Sequence, residues 1–155
     1  MLTAPTNDPP ARKQQGTGRR LVPGAAPLRI ILAEDDTALR TMLRECLEEA
    51  GYQVTECTDG RELQRMLLER EFDDVAAVVS DQRMPGAQGL TVLANVSAAR
   101  IGAPFVLITA FGDDQIRDEA RGLGAACVID KPVDEEELVS NLKRILDLRE
   151  KKSQE

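Results

Sequence analysis

Residues 28–57 read LRIILAEDDTALRTMLRECLEEAGYQVTEC, and the fold turns on how this stretch alternates. Leu28 to Ala33 is an apolar run too short for a helix, and its isoleucines favour an extended backbone, so it predicts a strand. Leu39, Leu43, Cys46, Leu47 and Ala50 then recur at helical spacing, which predicts an amphipathic helix ending at Gly51, where a missing Cβ suits left-handed backbone. Cys46 lies on that stripe and is expected to be a small core residue. Gln53 to Cys57 reads as the next strand.

Working outward, the same rhythm returns with strands over Val75 to Ser80, Phe105 to Thr109 and Ala126 to Ile129. The last helix opens at Asp134, whose side chain can accept from the amide three residues on while Glu137 reaches back. Leu138, Leu142, Ile145 and Leu146 form its apolar stripe; acids crowd its first turn, and Lys143, Arg144, Arg149, Lys151 and Lys152 come later, as the helix dipole favours. Five strands alternating with helices predict an α/β fold, a parallel sheet covered on both faces by right-handed crossovers.

The chain has 155 residues, 27 acidic against 20 basic, a net charge of −7, three cysteines and no histidine. Without histidine it cannot use a Ser-His or Cys-His pair, an imidazole metal site or a phosphohistidine of its own. The acidic balance argues against nucleic-acid binding. Cys46, Cys57 and Cys127 are odd in number and form no C-x-x-C, so neither disulfides nor a metal knuckle is expected. With no signal peptide and no apolar run near the roughly 18 residues of a membrane span, a cytoplasmic location is expected. Residues 1–27 hold five of the eight prolines and four basic residues against one acid, and read as a disordered basic tail. A folded domain is expected over 28–150, then a short tail over 151–155 that leaves no DNA-binding or other output domain.

In parallel sheets, function gathers at the strands' carboxyl ends, near the point where strand order reverses. There stand Glu34, Asp35 and Asp36 after the first strand, Asp81 after the third, Thr109 closing the fourth and Lys131 after the fifth. Bringing Glu34, Asp35 and Asp81 within about 5 Å costs roughly 3 kcal/mol per pair at an effective dielectric near 20. Such a cluster calls for a hard cation, Mg²⁺ or Mn²⁺. With Lys131 and the Thr109 hydroxyl opposite, it could neutralise a transferring phosphoryl group, and an aspartate could accept it.

The segments ILAEDD (31–36), VVSDQRMPG (78–86), LITA (107–110), GLGA (122–125) and DKP (130–132), in this order and spacing, resemble the receiver domain of two-component response regulators over nearly all of residues 28–148. The resemblance implies a flavodoxin-like doubly wound fold with strand order 2-1-3-4-5. It implies Glu34 and Asp35 as the acidic pair, Asp35 the more direct Mg²⁺ ligand, Asp81 as the phosphorylated aspartate and the backbone carbonyl of Arg83 as a further ligand. Thr109 would be the switch hydroxyl, Ala110 would keep the entrance small, and Lys131 would pair with the phosphoryl oxygens before a cis bond to Pro132. Asp36 matches a position of no fixed role.

Val128 stands where the family commonly carries Tyr or Phe, so an altered readout is expected on the face built by the fourth helix, fifth strand and last helix. Arg83 and Phe111 flank the path of an attacking water, and their bulk predicts slow self-hydrolysis. The leading expectation is a stand-alone phosphoacceptor rather than an enzyme, charged by a partner histidine kinase or phosphotransfer protein and acting on a further protein. A receiver-shaped binding module without regulated phosphorylation is the alternative; a phosphatase would want a second acid where Arg83 stands.

Overall fold

A computed structural model describes residues 26–153. The tail expected over 1–27 lies, apart from its last two residues, outside the described residues. The elements are β1 (Arg29–Ala33), α1 (Thr37–Glu49), β2 (Gln53–Cys57), α2 (Gly60–Leu68), β3 (Val75–Asp81), α3 (Gly89–Ala98), β4 (Phe105–Thr109), α4 (Asp114–Gly122), β5 (Cys127–Asp130) and α5 (Glu135–Ser153). They form one sheet in the order β2-β1-β3-β4-β5, every pair parallel. Both the strand order and the five alternations match the sequence reading.

Strand ends differ by one residue in places. β1 and β5 start one residue later than expected, while β3 and β5 run on to Asp81 and Asp130. The apolar pattern stops at the aspartates but the ladder does not: Asp81 is in register with Ile108 and Asp130 with Thr109. α5 continues through Ser153, beyond the boundary expected at 150.

Side-chain alternation along the strands divides the interior in two. Ile30, Leu32, Val79, Val106, Ile108 and Ile129 pack against Leu43 and Leu47 of α1 and Leu138 and Leu142 of α5. Ile31, Val78, Phe105 and Leu107 pack on the other face, against α2, α3 and Ala120 of α4. Full burial of each such leucine contributes about 2 kcal/mol. Cys46 and Cys57 are buried, and burial pushes their thiols up to about 11 and about 12, the state of inert packing residues.

Much of the acid excess works at helix starts. The carboxylates of Asp36, Asp59, Asp113 and Asp134 accept from the first-turn amides of α1, α2, α4 and α5. The C-termini of α1 to α4 share one motif, in which the first residue past the cap bonds back three residues and the next bonds back five. Gly51 and Gly124 take the left-handed position after α1 and α4; Arg70 and Arg100, at φ 50° and 56°, take it after α2 and α3. A side chain there costs about 1 kcal/mol relative to the right-handed backbone.

Candidate functional site

Two strand ends, those of β3 and β4, and the loops after β1 and β5 converge at the carboxyl edge. Asp81 ends β3, 4% exposed, because the ladder continues under it: the Gln82 amide donates to the Ile108 carbonyl at 2.8 Å. Glu34 follows β1, 1% exposed, its amide bound to the Cys57 carbonyl of β2 at 3.1 Å. Asp35, the next residue, stays exposed. Carboxylate oxygens of Glu34, Asp35 and Asp81 lie within 4.8 Å of one another. Lys131 Nζ donates to Asp81 Oδ2 at 3.0 Å, while the Lys131 amide donates to the Thr109 carbonyl at 2.8 Å. Thr109 is buried at the end of β4, one residue past Asp81's register partner, and the Lys131–Pro132 peptide bond is cis.

Electrostatics follow from this crowding. Burial raises Glu34 from 4.5 to about 7, the neighbouring Asp81 carboxylate adds to the rise, and Lys131 and the Asp36 amide oppose it. Burial alone would lower Lys131, but the Asp81 hydrogen bond and the charges of Asp81, Glu34 and Asp35 outweigh it, so its ammonium is held above its usual range. Glu34 Oε1 accepts from the Asp36 amide at 3.3 Å, whereas Oε2 is buried with no hydrogen-bond partner among the described residues. An orphaned carboxylate oxygen beside two more carboxylates, with neither thiolate nor imidazole near, fits a hard divalent cation held by oxygen ligands.

An open cleft of about 470 Å³ leads to this cluster, lined by Asp35, Arg83, Met84, Pro85 and Gln88. Arg83 lines this cleft and is exposed, Ala110 is exposed, and Phe111 is 83% exposed, outside the cleft's lining residues. Asp36 is an N-cap, accepting from the Leu39 amide at 2.8 Å. Val128 is half-buried opposite Leu107 and packs into the α2-α3-α4 core.

Several supporting residues escaped the sequence reading. Gln82 Oε1 accepts from the Leu90 amide at 2.9 Å, so this side chain from the loop after β3 caps α3, whose own N-cap residue Gln88 makes no such bond. Gly89 lies so close that a Cβ would sit 2.7 Å from the Asp81 carbonyl oxygen and from Leu107. Arg40 donates to the Glu34 carbonyl at 2.9 Å and pairs with Glu56. Arg117 of α4 pairs with Asp130, whose Oδ1 is buried without a partner among the described residues. Only Gly89 gave a local signal, a glycine opening an apolar helix.

The family model described as the response regulator receiver domain matches residues 30–143. The chain belongs to this family. Among curated relatives, the receiver domain is 33% identical over 127 residues to the C4-dicarboxylate transport transcriptional regulatory protein DctD of Pseudomonas aeruginosa, covering 82% of this chain and 27% of that one. It is 31% identical over 139 residues to the transcriptional regulatory protein PdtaR of Mycobacterium tuberculosis, covering 89% of this chain and 60% of that one. It thus spans less than two thirds of either relative. A solved receiver domain protein (CheY-like) from Methanospirillum hungatei is 28% identical, superposes with a TM-score of 0.73 and is covered over 98% of its length by 81% of this chain. Receiver domains are phosphoacceptor modules of two-component signalling, and no helix among the described residues is long and apolar enough to cross a membrane.

Proposed function

We propose that this receiver domain accepts a phosphoryl group on Asp81 from a phosphohistidine of a partner histidine kinase or phosphotransfer protein. The observation that carries this reading is the buried Asp81 carboxylate, paired with Lys131 at 3.0 Å and sharing a 4.8 Å cluster with Glu34 and Asp35. These 155 residues contain no histidine, so the donor phosphohistidine lies outside them. An Asp81 oxygen attacks phosphorus, the P–N bond breaks with its electron pair left on the imidazole, and an acyl phosphate forms. Lys131 meets the incoming phosphoryl oxygens, and the Thr109 hydroxyl turns toward them. Glu34, Asp35, Asp81 and the Arg83 carbonyl would hold Mg²⁺, or Mn²⁺, which neutralises phosphoryl charge when bound. Water attack on phosphorus later releases phosphate and restores the carboxylate; Arg83 and Phe111 slow this step by bulk.

The output is a change in protein contacts on the α4-β5-α5 face, read without the aromatic side chain that Val128 replaces. Incubation with Mg²⁺ and acetyl phosphate followed by intact-mass measurement tests the assignment. One phosphoryl increment is expected on the wild type, and none on Asp81→Asn or with the metal chelated. An unmodified wild type would overturn it in favour of a binding module without regulated phosphorylation. Arg83→Asn with Phe111→Glu should shorten the acyl phosphate lifetime.

A further inference from the structure

At the opposite edge of the sheet, a cavity of about 310 Å³ lies between the end of α2, the loop from α3 to β4 and the end of α5. Phe72 and Ile101 give it apolar walls, Arg70, Arg100 and Arg149 ring it, and Asp73 is the one acid among its lining residues. We propose that this cavity binds a small amphipathic organic anion, a phosphate or carboxylate carried on a ring or chain.

Three observations converge on that ligand class. Arg70 and Arg100 are the only non-glycine residues with positive φ among the described residues, and both line this one cavity. The equivalent positions after α1 and α4 are glycines, so the motif itself does not call for an arginine. Neither guanidinium has an ion pair among the described residues, in a chain where acids outnumber bases by 27 to 20. Guanidinium groups present paired donors that match both carboxylate and phosphate oxygens. Arg149 donates to the Ala76 carbonyl at 3.0 Å, tying α5 to the cavity, and the Arg29 guanidinium lies 4.4 Å from the centre of the Phe72 ring. The hollow is half open and its lining more polar than apolar, with the exposed Arg70 and Arg100 at its rim, and its volume lies at the lower end of the range of small-molecule sites.

Titration of ¹⁵N-labelled protein with phenyl phosphate, benzoate, inorganic phosphate and benzyl alcohol, followed by amide correlation spectra, tests the proposal. Phenyl phosphate or benzoate should saturably shift the amides of Arg70, Phe72, Arg100 and Ile101, and whichever binds more tightly identifies the head group. Inorganic phosphate and benzyl alcohol should each bind at least tenfold more weakly, because each supplies half of the recognition. Arg70→Gly with Arg100→Gly, which suits the left-handed backbone, should weaken binding tenfold or more, whereas Arg61→Ala, outside the cavity, should not. Absence of saturable shifts there, equal binding by inorganic phosphate, or unchanged affinity in the glycine variant would each overturn it.

Discussion

At the carboxyl edge of the sheet, Glu34 and Asp81 are almost fully buried and like charges are forced together; at the amino edge, Arg70 and Arg100 stand exposed on helix-closing turns. The glycines differ in parallel. Gly89 at the carboxyl edge has backbone and side-chain atoms where a Cβ would lie, while Gly102 at the amino edge has nothing within 4 Å. Close packing holds Glu34 and Asp81 beside one another against their repulsion, which the Lys131 ammonium on Asp81 partly offsets. The amino edge carries no such constraint, and mild backbone strain is tolerated there.

This contrast can be broken in graded ways. Gly89→Ala should have the largest effect, costing about 2–3 kcal/mol in chemical denaturation, because the methyl group pushes α3 away from the Asp81 carbonyl. Acidification comes next. Glu34, raised to about 7 by burial, must lose its proton to bind a cation. Calorimetric Mg²⁺ affinity should therefore fall as pH drops below 7, approaching tenfold per pH unit. In the metal-free protein the sign is opposite. The folded state holds a proton that the unfolded state releases above about 4.5, so this group's contribution to stability declines as pH rises from there to about 7. Glu34→Gln should flatten both trends.

Lys131→Met should destabilise the metal-free protein by about 1 kcal/mol, a modest value because the lysine is one-third exposed, and Mg²⁺ should restore most of the loss. At the amino edge the sign reverses. Arg70→Gly and Arg100→Gly should each raise stability by about 0.5 kcal/mol, since relief of left-handed strain exceeds the added freedom of the unfolded chain. Gly102→Ala should lie within about 0.5 kcal/mol of the wild type in the same denaturation assay. Equal costs at Gly89 and Gly102 would remove the distinction between the edges.

What could be read from sequence was whatever one chain segment specifies by itself. Strands, helix stripes and the Asp134 cap follow local periodicity, and Glu34, Asp35, Asp81, Thr109 and Lys131 fall at predictable strand ends. Residues that act across the fold left no such trace. Gln82 caps α3 only because the loop after β3 folds over its first turn. Arg40 of α1 reaches back six residues to the Glu34 carbonyl, ahead of the helix, and Arg117 reaches Asp130 from another element. The Arg29/Ile30 register shift between β1 and β3 likewise arises from pairing, which no single run of residues encodes.

The loop that follows Asp81 is also bolted to α2. The Gly60 amide donates to the Pro85 carbonyl at 2.9 Å, a Cβ on Gly60 would strike the Ala87 carbonyl, and one on Gly86 would strike the Asp59 carboxylate. Two segments some 25 residues apart are thus cut to each other's shape. Anyone grafting this phosphoacceptor loop into another protein would have to move Asp59 and Gly60 together with Pro85, Gly86 and Ala87, since either piece alone would arrive without its mould.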